Sequence, residues 1–338
     1  MQQQQAQAND TGKQRLLVLV GPTAVGKTEL SLELAEAYGA EIISGDSMQV
    51  YRGMDIGTAK LPLSEQKGIP HHLIDICDPQ SPYSVADFQT ECARSIVDIT
   101  SRGKLPFIVG GTGLYVESVC YGFEFAENGS DEAFRADMER YAAENGAEAL
   151  HRKLLAVDPH SAERLHPNDL RRVIRALEIF HLTGETMSSQ LEGQKKQSPY
   201  ELCILGLTRD RAELYARIEE RVDLMMEQGL VDEVRALLGS GIPPHAVAMQ
   251  GLGYKEIAAH LRGECSLEAA VELLKRDTRR FAKRQLSWFR HMKDIEWIDM
   301  GENFRNNLHR IHGIIAGKFQ VNLEYTSNQS FLDGGNVQ

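Results

Sequence analysis

The chain has 338 residues, 42% of them hydrophobic, and a formal net charge of −11. That length suits a core domain with an inserted or appended second one, and the composition can supply a packed core. A membrane span is excluded, because no apolar run approaches the ~18 residues one needs, and the acidic sum, taken alone, argues against a nucleic-acid partner.

Residues 1–13 are Gln-rich and polar and lack the apolar segment of a secretory signal. A disordered N-terminus and a cytoplasmic protein are the expectation. Leu16 to Val20 is a continuous apolar run ended by Gly21-Pro22, which predicts a buried parallel strand. Glu29 to Tyr38 has helical spacing, and Gly39 is placed to cap it. Glu41 to Ser44 predicts a second strand, His72 to Ile76 a third and Pro106 to Val109 a fourth. A helix is expected over 84–102, with Ser84 as N-cap and Asp87 three residues on, and another over 114–120. Strands alternating with helices predict a parallel α/β sheet.

After about Phe123 the character changes. Residues 124–197 are charged, helical in period and without a convincing strand. The expected organisation is a core over 14–123, a helical insertion over 124–198, and the rest of the core over 199–320, with disordered tails at 1–13 and 321–338. In the second core part a strand is predicted from Glu201 to Leu207, helix from Arg211 to Leu238, a long helix from Leu267 to His291 and a last strand from Ile295 to Ile298. Five scattered cysteines without Cys-x-x-Cys spacing give neither a disulfide framework nor a zinc site. No oligomer seam is legible, so a monomer is expected.

The strongest motif is Gly21-Pro22-Thr23-Ala24-Val25-Gly26-Lys27-Thr28 between a predicted strand and a predicted helix, the context that a P-loop requires. Such a loop turns backbone N–H groups and a helix N-terminus toward phosphate oxygens. Lys27 adds a point charge, and the Thr28 hydroxyl is a Mg²⁺ ligand of the type that phosphate sites use. The motif specifies a di- or triphosphate, and alone it points to ATP or GTP. NTP-hydrolysing and phosphoryl-transferring proteins usually add an apolar strand ending in Asp. Here the best later strand ends Val109-Gly110-Gly111-Thr112, and Asp75, the nearest substitute, lies inside its strand pattern.

Asp46 follows the second strand, where strand ends face the ligand crevice. A proton-accepting carboxylate and a turn-capping aspartate are both open there. Thr112 sits in a second strand-to-helix turn, either as a plain helix entry or beside a substrate that the glycines let approach. Arg171 and Arg175 share one helix face, either solvated or clamping RNA phosphate. Residues 275–293 hold Lys275, Arg276, Arg279, Arg280, Lys283, Arg284, Arg290 and Lys293 against Asp277 alone. That excess favours nucleic acid. The aromatics Phe281, Trp288 and Phe289 in the same segment read as core.

Taken together, the loop of residues 21–28, Asp46-Ser47-Met48-Gln49-Val50-Tyr51, Met54-Asp55-Ile56-Gly57-Thr58-Ala59-Lys60, Gly110 to Tyr115, His166-Pro167-Asn168-Asp169 and Ala282 to Arg290 closely resemble the bacterial tRNA dimethylallyltransferase (tRNA isopentenyltransferase) family. The resemblance runs from about Arg15 to Trp297. It implies a P-loop nucleoside-triphosphate-hydrolase-like α/β core with a helical insertion that grips the anticodon stem-loop. It implies transfer of a dimethylallyl group from dimethylallyl diphosphate to N6 of the adenosine 3′ of the anticodon, position 37, in tRNAs reading codons that begin with U. Residues 21–28 would hold the departing diphosphate, with Mg²⁺ on Thr28 and added charge from Arg217 and Arg221. Thr23 would donate to the bridging oxygen, and Asp46 would take the N6 proton. The implied tRNA contacts are Asp46, Ser47, Met48 and Gln49; Thr112 and Arg135; Arg171, Arg172, Val173, Ile174 and Arg175; Met249, Gln250, Gly251, Leu252, Gly253 and Tyr254; and the basic-helix residues Lys283 and Arg284. Two alternatives stay open: an isopentenyltransferase acting on free AMP or ATP, and a P-loop small-molecule kinase or NTPase.

Overall fold

The structure is a computed structural model that describes residues 12–125, 129–193, 197–301 and 304–320. The expected disordered tails fall almost wholly outside these residues. By its internal contacts the chain divides into two units, one formed by the segments on either side of Tyr121–Gln197 and one formed by Tyr121–Gln197 itself.

The first unit opens with β1 (Arg15–Val20), α1 (Lys27–Tyr38), β2 (Ala40–Ser44), β3 (His71–His72), α2 (Val85–Ser101), β4 (Leu105–Gly110) and α3 (Gly113–Cys120). The second unit is helical: α4 (Glu132–Asn145), α5 (Ala147–Val157), α6 (Pro159–Arg164), α7 (Leu170–Thr183) and α8 (Met187–Gly193). The first unit resumes with β5 (Glu201–Thr208), α9 (Arg211–Glu227), α10 (Leu230–Gly239), α11 (Tyr254–Leu261), α12 (Leu267–Phe289), β6 (Ile295–Asp299) and α13 (Phe304–Phe319).

Among the described residues the six strands are all parallel, in the order β3-β2-β4-β1-β5-β6. β1 lies inside the sheet, with Leu17 beside Phe107 of β4 and Cys203 of β5. Every residue of β1 after Arg15 is buried, which is why its sequence reads as an unbroken apolar run. Leu17 and Leu19 pack with Leu30 and Leu34 of α1 and with Ile311 and Ile315 of α13. The carboxyl ends of β1, β2 and β4 therefore gather at one edge, where ligands of such sheets bind.

The local punctuation follows the sequence. Gly39 closes α1 in the left-handed conformation, φ 58°. Ser84 and Asp87 form a reciprocal capping box at α2. Two segments differ from expectation. The strand expected over 72–76 stops at His72, because Leu73 and Asp75 take φ of 61° and 57°. Asp75 donates its N–H to Gln49 O, and its carboxylate pairs with Lys60. The helix expected over 211–238 breaks at Gly229, φ 98°, into α9 and α10.

The helical unit has its own core, in which Leu150, Leu154, Val173, Ile174 and Leu177 pack together. Among the described residues no helix is long and apolar enough to cross a membrane.

Candidate active site

The loop between β1 and α1 curls through close approach or unusual backbone at three residues. Gly21 would place a Cβ 2.9 Å from Leu207 O, and Ala24 and Gly26 have φ of 63° and 112°. Lys27, the first residue of α1, donates from Nζ to the carbonyls of Gly21 and Pro22 at 2.9 and 2.8 Å. No side chain caps the α1 N-terminus. Withdrawal of the Lys27 ammonium from solvent lowers its pKa to about 7; Arg221 adds to this and Asp46 opposes it. On α9, Arg217 donates from Nε to Ala24 O at 2.9 Å. Burial lowers the pKa of Arg221, while Asp46 opposes that shift and Arg217 adds to it. Two guanidiniums and an ammonium thus converge on one side of the loop.

Asp46 follows β2, near enough to Lys27 and Arg221 for its charge to act on both. Its Oδ1 accepts the Met48 N–H at 2.8 Å. The turn is held from β4. Thr112 donates its N–H to Gly45 O at 3.1 Å, and its Oγ1 accepts the Ser47 N–H at 3.0 Å. A Cβ on Gly110 would lie 2.2 Å from Gly45 O, so the two strand ends can meet only through glycine. Gln49 is fixed between Ser44 Oγ, which donates to its Oε1 at 2.8 Å, and Thr58 O, which accepts from its Nε2 at 3.2 Å.

These segments line a cavity of about 550 Å³. Its polar lining includes Thr23, Lys27, Asp46, Arg217 and Arg221, together with Gln49, Gln285 and the carboxylates Glu29 and Glu220, and its apolar lining includes Ile42, Leu61, Ile74, Val109, Leu224 and Phe281. The cationic end suits a small polyanion, the apolar patch suits a short hydrocarbon, and Asp46 can hold or accept a proton. β4 ends at Gly110 without an aspartate, and Asp75 is taken by Lys60. Among the described residues no group of three or more His, Cys, Asp or Glu could hold a metal. The loop offers Mg²⁺ the hydroxyls of Thr23 and Thr28, and Asp46 adds a carboxylate to the same cavity. That fits an ion that would complete its shell with diphosphate oxygens and water.

The other predicted site residues are not all brought here. Gln49 lines the cavity, whereas Thr112 reaches Asp46 through the residues on either side of it, Gly45 and Ser47. Met48 packs beside Gly251, where a Cβ would meet its Cε at 2.7 Å. Met249 and Tyr254 are fully buried, so their side chains offer no surface to RNA. Gln250 is exposed and donates to Pro244 O, Leu252 is half-buried, and Gly253 precedes α11 with its N–H on Glu256. In the helical unit Val173 and Ile174 are core residues, again without a contact face. Glu178, fully buried, accepts from Arg135, from Arg175 and from the Asp131 N–H. Burial pushes its carboxyl pKa up, but the two guanidiniums win and hold it below the usual value. Arg172 pairs loosely with Asp169, and Arg171 is exposed.

The basic helix is less uniform than its sequence. Lys275 and Arg279 turn inward to Asp223 and Glu219 on α9, while Arg276 and Arg280 share Asp277. Lys283, Arg284 and Arg290 remain exposed. Of the aromatics expected in the core, only Phe289 is fully buried; Phe281 lines the cavity, and Trp288 is exposed with its indole N–H on Glu117.

Two residues that sequence reasoning missed shape the site. Gln285 joins Thr23 to Gly111, and Glu233 holds the loop that carries Thr58 and Ala59. Gln285 had a signal: a glutamine at an otherwise apolar position of α12, in line with the buried Leu274, Ala282 and Phe289.

A family model described as IPP transferase matches residues 49–292, and one described as isopentenyl transferase matches residues 14–74. A tRNA dimethylallyltransferase of Bacillus velezensis is 53% identical over 311 residues, covering 91% of this chain and 99% of that protein. One of Bacillus licheniformis is 52% identical with the same coverage. Among solved structures, a full-length tRNA isopentenylpyrophosphate transferase from Bacillus halodurans is 49% identical, with a TM-score of 0.70 over 91% of this chain and 97% of its own. A eukaryotic dimethylallyltransferase acting on tRNA is 32% identical, with a TM-score of 0.76 over 91% of this chain and 79% of its own. The chain belongs to the IPP transferase family of tRNA dimethylallyltransferases.

Proposed function

We propose that the chain transfers the dimethylallyl group of dimethylallyl diphosphate to N6 of the adenosine at position 37, 3′ of the anticodon, in tRNAs reading codons that begin with U. One observation carries this reading. The cavity sets the Gly21–Thr28 loop, Lys27, Arg217 and Arg221 against Asp46, with apolar side chains also lining the space.

In this reading the diphosphate lies against the loop amides and the three cations. Negative charge grows on the leaving group as the C1–O bond breaks, and preorganised positive charge stabilises it. The Thr23 hydroxyl donates to the bridging oxygen. A Mg²⁺ held by Thr28 and the diphosphate would supply Lewis-acid charge neutralisation. The apolar lining surrounds the allylic group as it becomes cation-like and keeps water away. Asp46 orients the exocyclic amine, and it accepts the N6 proton as the C1–N6 bond forms. The adenine must leave its stack to enter the cavity. Exposed Lys283 and Arg284 of α12, and Arg171 of α7, would meet the phosphate backbone, which positions the RNA without reading its sequence.

The test is direct. The protein is incubated with dimethylallyl diphosphate, Mg²⁺ and either unmodified tRNA or AMP, and the nucleosides are resolved by mass spectrometry. Alkylated adenosine from tRNA position 37 supports the reading. Product from AMP alone would move the chain to the adenylate class.

A further inference from the structure

Gln285 is 5% exposed and lies on α12, the helix whose outer face is basic. Its Oε1 accepts the Thr23 N–H at 2.9 Å, and its Nε2 donates to the Gly111 carbonyl at 2.9 Å. The two partners fix the amide's orientation, since only its oxygen can receive an N–H and only its NH₂ can reach a carbonyl. The fit is close: a Cβ on Gly111 would lie 2.2 Å from Gln285 Nε2.

These contacts join the loop that follows β1 to the turn that follows β4, strands already paired at Val20 and Gly110. Thr23 belongs to the β1–α1 loop. Gly111 precedes Thr112, which holds the N–H of Ser47 next to Asp46. Gln285 also lines the cavity itself. We propose that Gln285 is a positioning residue that fixes the separation between Thr23 and Asp46 across which the allyl group is transferred. The idea rests on the reading given under Proposed function and assigns the reaction distance to a side chain outside the Gly21–Thr28 loop and the Asp46–Tyr51 segment. A neutral amide suits this place. It satisfies a part-buried donor and a buried acceptor at once and adds no charge beside the diphosphate.

The test uses two substitutions in the full chain, each measured beside the unsubstituted protein. Gln285→Met keeps the length and removes both hydrogen bonds. Its turnover with tRNA and dimethylallyl diphosphate should fall about a hundredfold, the effect of roughly an ångström of misplacement. Its Kd for inorganic diphosphate and for tRNA should stay within about threefold, because the binding groups remain. Gln285→Glu carries a pH signature. A protonated carboxyl reproduces the amide's donor and acceptor, whereas the carboxylate sets an oxygen against Gly111 O. Turnover relative to the unsubstituted protein should therefore rise as pH falls from about 8 to about 6, the range in which a buried carboxyl can titrate. Turnover of Gln285→Met equal to the unsubstituted protein would overturn the proposal. So would a loss of turnover matched by an equal loss of diphosphate affinity, or a flat relative pH profile for Gln285→Glu. If Gln285→Met does not fold, the pH profile decides alone. Absence of tRNA alkylation by the unsubstituted protein would instead strike the underlying reading.

Discussion

The Tyr254 hydroxyl donates to Glu233 Oε1 at 2.6 Å, and the same carboxylate accepts the backbone N–H groups of Asp55, Ile56 and Gly57 at 3.0, 2.8 and 3.1 Å. One side chain on α10 thereby ties α11 to the loop that carries Thr58 and Ala59 into the cavity wall. Gly57 makes room for the arrangement, since a Cβ there would lie 2.6 Å from the Tyr254 ring. Glu233→Ala strands a phenol and three amides. It should cost at least about 1–3 kcal/mol, the penalty for polar groups left without partners. Tyr254→Phe removes one bond of four and should cost less. Urea unfolding of both variants checks the order, and a larger loss for Tyr254→Phe would contradict it.

Lys27 predicts a pH effect. Its pKa is held near 7 in the ligand-free chain, well below its ordinary 10.5. A bound diphosphate favours the ammonium, so binding should take up a proton at Lys27 above pH 7. Calorimetry of inorganic diphosphate binding in buffers of different ionisation enthalpy measures that uptake. Lys27→Arg, charged throughout, should lose it. The sign for folding also follows. Between about 7 and 10.5 the unfolded chain holds this proton more tightly than the folded one, so the Lys27 contribution makes the ligand-free protein more stable as pH rises through that window.

The arginines of the helical unit should separate by role. Arg175 is committed to the buried Glu178, whereas Arg171 is exposed. Arg175→Ala should lower the melting temperature, because it removes a partner from a buried charge. Arg171→Ala should leave melting unchanged and reduce the salt dependence of tRNA binding by about one unit of slope. Thermal melts and filter binding across salt concentrations distinguish the two.

Asp46→Asn preserves an acceptor oxygen for the Met48 N–H but cannot take a proton. Turnover should drop by about 10²–10⁴ with tRNA affinity nearly unchanged. Single-turnover kinetics with saturating tRNA reads this, and unchanged turnover would remove Asp46 as the base.

Much of this was legible in the sequence where local chemistry decides structure. β1, β2, β4 and β5 announce themselves as apolar runs ended by glycine or a polar turn, and the Gly21–Thr28 loop follows from its spacing. What was not legible depends on residues far apart in the chain. The strand expected after His72 yields because Asp75 answers to Lys60 and Gln49. Tyr254 and Met249 looked like ligand contacts but complete a core with residues of α10 and α12. Lys275 and Arg279 read as free charge until α9 places Asp223 and Glu219 beside them. Gln285 meets Thr23 and Gly111 across more than 170 residues of chain. A spacing rule does not span that distance, although the glutamine at a core position was visible.

In the proposed reaction the Gly21–Thr28 loop holds a departing diphosphate rather than a phosphoryl donor. The protein, unmodified tRNA, dimethylallyl diphosphate and Mg²⁺ are combined with ATP omitted, and released diphosphate is counted against alkylated adenosine at position 37. Equal amounts of the two are predicted, with no stimulation by added ATP. A requirement for ATP, or orthophosphate released in place of diphosphate, would contradict the account.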